Sequence, residues 1–270
     1  MIVTVEWETT YQYTQPVSQL HSEICLLPSD RASGQRLLRG GVLITPDAEP
    51  RPFSDVFGNT IHHLDYLRPV SRLHIRVEAE VETTDRPETA ASLPPLLERL
   101  YLQPTPRSPH EHDLIEALVA GLDGPRAARG PLALAGQINA HLPERFAFTV
   151  GATSVSATAL DFVQTGQGVC QDYAHLMIAM LRREGVPARY VSGYLASGGG
   201  EMAADASHAW VQVLVDDHWH GFDPANGDTQ DERYVVTAVG RDYDDVPPVR
   251  GTYRGQAREE WTTSVRIAAI

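Results

Sequence analysis

Gly168-Val-Cys-Gln-Asp-Tyr-Ala-His-Leu-Met-Ile-Ala-Met-Leu-Arg-Arg-Glu-Gly185 is the stretch from which the rest of the chain is ordered. Its middle is apolar on most sides, and two arginines and a glycine close it, as the negative end of a helix favours. A segment apolar all round is a buried one, so the stretch is predicted as a central helix. Cys170 falls in its first turn, where the helix dipole and unpaired backbone N–H groups favour thiolate over thiol. The glycines at 166 and 168 let the backbone approach a substrate closely, and the Cys170 amide is placed to point at the oxygen of a tetrahedral intermediate.

Outward from this helix the chain sorts into helices before it and strands after it. Upstream, Leu114-Ile-Glu-Ala-Leu-Val119 has helical spacing, and Pro131 sits at a first helical position before residues 132–142. Downstream, Arg189-Tyr-Val-Ser-Gly-Tyr-Leu195, His208-Ala-Trp-Val-Gln-Val-Leu-Val215 and His218-Trp-His-Gly-Phe-Asp223 read as strands, the last two joined by an Asp216-Asp217 turn. Separate helical and antiparallel stretches predict α+β architecture rather than a parallel doubly wound sheet. Further back, Val3, Val5, Trp7, Thr9 and Tyr11 alternate with Thr4, Glu6, Glu8 and Thr10, and residues 73–83 repeat this period of two. Residues 1–84 are therefore read as an antiparallel β domain. Prolines at 87, 94, 95, 104, 106 and 109 make 85–109 a linker or crossing segment, and 110–270 the second domain with a C-terminal strand. No internal repeat is visible.

The 270 residues allow a sizeable core without staples. Cys25, in the apolar run Glu23-Ile-Cys-Leu-Leu27, reads as a small buried hydrophobe, and two cysteines are too few for a disulfide framework. That usage, with no signal-like N-terminus and no long apolar span, points to a soluble cytoplasmic protein. A formal net charge of −13 opposes attraction to phosphate, so neither nucleic acid nor an anionic membrane is an expected partner; a solvated acidic surface accounts for the number.

A thiolate nucleophile needs a partner that holds a proton and later gives it to a leaving group, which histidine does near neutral pH. Among 11 histidines, His208 stands out because it starts an aromatic-rich strand whose hairpin partner ends in Asp223-Pro224. With Asp216-Asp217 as a two-residue turn, Asp223 lies opposite Trp210, a diagonal neighbour of His208 on the same face. A carboxylate there accepts the imidazole Nδ1–H, fixing the tautomer and stabilising the imidazolium. Each residue alone also has a plainer role: Cys170 as a core thiol, His208 as a satisfied strand histidine, Asp223 as a turn former before proline.

Gly168-Val-Cys-Gln-Asp-Tyr-Ala-His175, Gly185-Val-Pro-Ala-Arg-Tyr-Val-Ser-Gly-Tyr194, Ser207-His-Ala-Trp-Val-Gln-Val213 and Gly221-Phe-Asp-Pro-Ala-Asn-Gly227 resemble the bacterial transglutaminase-like family in content, order and spacing. Phe146-Ala-Phe-Thr-Val-Gly-Ala-Thr153 and Gly240-Arg-Asp-Tyr-Asp-Asp-Val-Pro247 with Gly251 add to this. Residues 20–28 and Asp55-Val-Phe-Gly-Asn59 look like the β domain commonly attached to such a core, so the resemblance covers nearly the whole chain. It implies a papain-like core in which Cys170 on the central helix is the nucleophile, with His208 as general base then acid and Asp223 as its orienter on the sheet. It implies no cofactor. Gln171 stands where relatives often have arginine and Gln212 where many have glutamate, departures that bear on substrate contacts more than on catalysis.

Gln164, six residues before Cys170, has a spacing similar to that of the oxyanion glutamine of papain-like enzymes, and Gln164 or Gln167 is the candidate second oxyanion donor. Trp210 is a candidate substrate contact, although Trp210 and Tyr194 read first as strand packing. Asp172 is expected to bond backbone or an arginine such as Arg189 or Arg241, and His175 to be a core or partner-bonding histidine. His218 and His220 flank Trp219 without a second ligand pair, so no metal site is expected. The 240–247 run either lines the cleft or clamps the C-terminal strand. The predicted chemistry is acyl transfer from an amide or isopeptide bond of a peptide or protein. The triad leaves the acceptor open. Hydrolysis, as in a cysteine protease or amidase, is favoured because water is always present; transfer to an amine, as in a transglutaminase, is the alternative. A noncatalytic peptide-binding module is the reading from another class.

Overall fold

The structure, a computed structural model, describes residues 1–30, 32, 34–86, 88–90, 93–122, 130–196, 202–204 and 207–270. Alternation at the N-terminus draws out one long strand, β1 (Ile2–Ile24), whose Val3, Val5 and Trp7 are buried in an apolar core. The first half of β1 pairs on one side with β5 (Val70–Thr83) and on the other with β16 (Glu259–Ala269), so that Val5 stands opposite both Ala79 and Ile267. Its second half pairs with β4 (Thr60–Tyr66) and β15 (Val249–Arg254). β2 (Gln35–Thr45) and β3 (Arg51–Ser54) extend the sheet beyond β5 and β4, and β10 (Met202–Ala204) adds to β16.

The sequence boundary is thus redrawn at the C-terminus. β15 and β16, assigned on sequence to the second domain, are strands of the first sheet. The second sheet offers them little, because its outer edge is already covered. There β14 (Tyr234–Gly240) exchanges hydrogen bonds with two side-chain amides: Gln35 Nε2 donates to the Val236 carbonyl at 2.8 Å, and Asn59 Nδ2 to that of Val239 at 2.7 Å. Both amide oxygens accept the matching backbone N–H at 2.8 Å. An edge strand is closed without a further strand.

In the second half, α2 (Asp113–Ala120), α3 (Pro131–Arg145), α4 (Ala159–Thr165) and α5 (Cys170–Arg183) share one apolar core with an antiparallel sheet. That sheet runs β13 (Asp228–Thr229), β12 (His218–Asp223), β11 (His208–Val215), β9 (Ala188–Leu195), β14, with β6 (Glu88–Thr89) also on β12. This is the α+β arrangement read from the sequence. A small parallel pair, β7 (Ala147–Phe148) with β8 (Gln167–Gly168), leads into α5. Every residue of α5 from Gln171 to Arg182 is buried. The segment 85–109 crosses between the halves, packed rather than loose. After α1 (Pro95–Leu100), Tyr101 is buried edge-on against Trp219 at 5.3 Å. Arg182, at the end of α5, donates to the carbonyls of Tyr101 (2.8 Å), Gln103 (3.0 Å), Ala188 (2.9 Å) and Arg241 (2.7 Å). Among the described residues no helix is long and apolar enough to cross a membrane.

Candidate active site

Cys170 is the first residue of α5, so its amide has no acceptor within the helix. The turn before it is held by Asp172, whose Oδ2 accepts from the Val169 N–H at 2.8 Å and the Thr153 hydroxyl at 2.6 Å. Burial raises the Asp172 carboxyl above its ordinary range, with these two bonds opposing. Of the partners foreseen for Asp172, backbone is the one found; Arg189 bonds Gln212 and Arg241 bonds Asp245. The glycines serve the turn. A Cβ on Gly168 would lie 2.5 Å from Asp172 Oδ2, and Gly166, at φ +70°, ends α4 in the left-handed region.

His208 opens β11 and Asp223 ends β12. Asp216 and Asp217 both take positive φ (50° and 59°), and Val215 pairs with His218, giving the two-residue hairpin that sets the register. The diagonal contact follows: His208 Nε2 meets Asp223 Oδ2 at 2.7 Å. The nitrogen is Nε2 and not the expected Nδ1. Asp223 is fully buried, and its Oδ2 also accepts from Tyr234 (2.9 Å) and from Asn226 Nδ2 (2.8 Å) while Oδ1 accepts from the Ala225 N–H at 3.1 Å. Burial alone would raise this carboxyl; the His208 contact, Asn226 and Tyr234 outweigh it and hold it below its ordinary range. For His208, burial pushes the pKa down, but the hydrogen bond to Asp223 and the hydrogen bond and charge of Cys170 carry it up to about 10. The imidazolium beside the Asp223 carboxylate is the favoured state.

Cys170 and His208 line one cavity of about 610 Å³ at the seam of the two halves. Gln164 and Gln167 do not reach it: both are exposed and neither lines its wall. Trp210 is fully buried outside it, stacked on His208 with ring centroids 6.1 Å apart and donating to Gln230 Oε1 at 2.9 Å. It braces the histidine. Gln212 is buried too, linking Arg189 to Gln230, so this departure from the family pattern lies in the scaffold. Gln171 does line the cavity and donates to the Val155 carbonyl at 3.0 Å.

His175 is fully buried; its Nε2 accepts from the Tyr243 N–H at 3.2 Å, and burial, reinforced by the Arg107 charge, lowers its pKa to about 3. The 240–247 run it holds contributes Tyr243 to the cavity wall. Arg107 grips the same run through two bonds to Asp244 at 2.8 and 2.9 Å. The sequence reading missed Tyr234, Asn226, Tyr190 and the whole β-sheet wall. Asn226 had a signal in Asp223-Pro-Ala-Asn226, a turn in which the aspartate bonds backbone two residues on. Among the described residues, His21, His63 and Asp65 bring ligand atoms within 4.8 Å of one another, but Arg51 already donates to Asp65 at 2.9 Å and none lines the cavity.

A cysteine at a buried helix start, facing a histidine–aspartate pair on an antiparallel sheet, defines the papain-like class of fold. Residues 117–224 match the transglutaminase-like superfamily, and residues 3–82 match the bacterial transglutaminase-like N-terminal region. These matches together take in more than half of the chain, which belongs to the bacterial transglutaminase-like family. An uncharacterized protein of Mycobacterium leprae is 28% identical over 97% of this chain and 96% of its own length. An uncharacterized protein of Mycobacterium tuberculosis is 44% identical over 116 residues, which are 39% of this chain and 37% of that protein. Among solved structures, "a Putative Cysteine Protease from Cytophaga hutchinsonii" aligns over 99% of this chain and 90% of its own, with a TM-score of 0.77 and 22% identity. That likeness is one of fold.

Proposed function

We propose that the protein is a thiol-dependent acyl-transfer enzyme acting on amide or isopeptide bonds of a peptide or protein, with Cys170 as nucleophile, His208 as proton carrier and Asp223 as its orienter. The observation that carries this is the position of His208, bonded to the buried Asp223 at 2.7 Å and sharing one cavity wall with Cys170. The thiolate adds to the carbonyl carbon, and the C=O electron pair moves to oxygen, which the Cys170 amide, without an acceptor inside its own helix, is available to bond. The intermediate collapses as the C–N bond breaks and the His208 imidazolium gives its proton to the leaving nitrogen, releasing an amine and leaving a thioester. A second nucleophile loses its proton to the neutral His208 and displaces the thiolate. Throughout, Asp223 keeps its charge and stabilises the imidazolium.

With water as that nucleophile the product is a carboxylic acid, and hydrolysis is the favoured outcome. The test is incubation with casein and a fluorescent primary amine, comparing wild type with Cys170→Ala. All 22 basic residues other than histidine are arginine, so the enzyme offers no lysine of its own as acceptor. New peptide termini, or ammonia released without amine incorporation, absent in the variant, support hydrolysis; Cys170-dependent amine incorporation, with its matching ammonia, makes it a transferase. Identical behaviour of the two proteins in all three readouts sinks the proposal in favour of a binding module.

A further inference from the structure

The cavity wall facing Cys170 and His208 comes from the β half. Trp7, Thr9, Tyr11 and Tyr13 line it from alternate positions of β1, a run of about 20 Å at the usual rise per strand residue, with Tyr11 half-buried and the other three, buried, presenting only their edges. Beside this row, Trp261 stands across from Tyr11 and Glu259 across from Tyr13 on β16. Trp261 is 64% exposed and Glu259 is exposed, so both sit at the mouth. Among the described residues of the lining, Glu259 is the one charged side chain besides His208, and none is an arginine. Its charge reaches the neighbouring phenols: burial first and Glu259 second raise the Tyr11 hydroxyl to about 12 and the Tyr13 hydroxyl further. Aromatic rings at strand spacing suit an extended chain with apolar side chains, and the Glu259 carboxylate, bonded to the Tyr13 hydroxyl and exposed at the mouth, suits a cation on its open side.

Resting on the acyl-transfer reading above, we infer that this cavity takes its substrate as an extended peptide segment of apolar or aromatic residues carrying one basic side chain, the rings against the β1 row and the cation at Glu259. The β half is then the specificity wall of the site.

The test is calorimetric titration of the Cys170→Ala protein with acetyl-Phe-Phe-Arg-amide, its Gln and Glu analogues, and acetyl-triglycine-amide. The expected order is Arg, Gln, Glu, with Arg at least about fivefold tighter than Glu, as an exposed ion pair and its like-charged counterpart allow. Triglycine binds at least roughly tenfold more weakly, for want of apolar area. Adding Glu259→Gln brings the Arg and Gln peptides together, and adding Trp261→Ala weakens all three Phe peptides. Both side chains are exposed, so unchanged melting temperatures separate these effects from misfolding. Triglycine binding as well as the Phe peptides, a Glu peptide as tight as Arg, or no binding by any peptide overturns the inference. Catalysis is judged separately: peptide selectivity without any Cys170-dependent change in casein leaves the recognition standing and defeats the acyl-transfer reading.

Discussion

At the scale of single residues, the site rests on how His208 is held. Its folded pKa of about 10, against 6.5 for a free histidine, is a stability term with a definite sign. The raised value means that the contribution is fully present below pH 6.5 and is lost as pH rises through about 10. In an NMR titration the His208 ring is expected to stay protonated through neutral pH and to titrate near 10, and Cys170→Ala to lower that midpoint by removing the thiol's bond and charge. Titration of wild-type His208 near 6.5 would contradict the ion pair. Much of this pairing was legible in the sequence, because a two-residue turn at Asp216-Asp217 places Asp223 diagonally from His208 whatever else the chain does. Which nitrogen faces the carboxylate was not legible. That depends on Trp210 and Tyr234, which pack against the ring from positions set by the whole sheet.

At the scale of elements, β9 and β11 hold the histidine in place through one close contact. His208 pairs with Gly193, where a Cβ would lie 2.1 Å from the Val235 carbonyl and 2.6 Å from the Trp210 ring. Gly193→Ala is expected to cost more than about 3 kcal/mol by forcing strand and tryptophan apart. Urea denaturation measures this, and a loss under about 1 kcal/mol would show that Trp210 is not tightly seated. The helix α5 was readable because its apolar character is continuous and its ends carry their own signals. The exposure of Gln164 and Gln167 was not legible because sequence spacing carries no direction: α4 ends at Gly166 in a left-handed turn that leaves both in solvent.

At the scale of the whole molecule, the chain closes on itself through β1, which receives β15 and β16 from the far end. Alternating strands were recognisable locally, but their partners lie about 250 residues away, and a period of two does not say which edge a strand will join. Nor does it distinguish a core face from a cavity wall, since Thr9 and Tyr13 carry the same alternation as Val3 and Val5. A protein ending at residue 248 would lose both neighbours on that side of β1 and expose Val3, Val5 and Trp7 along a long open edge. It is expected to be aggregated or unfolded by circular dichroism and size-exclusion chromatography; a monomer melting like the full chain would contradict the topology. The central claim, a thiolate made ready by His208, is tested most directly by the rate of iodoacetamide alkylation of Cys170, followed by intact mass. Cys25 is an internal control, buried and with its thiol pushed up to about 12 by that burial. Cys170 is expected to react first, roughly tenfold or more faster than a free thiol near neutral pH, and His208→Ala to abolish the advantage. Alkylation no faster than a free thiol, unchanged by His208→Ala, would contradict that claim.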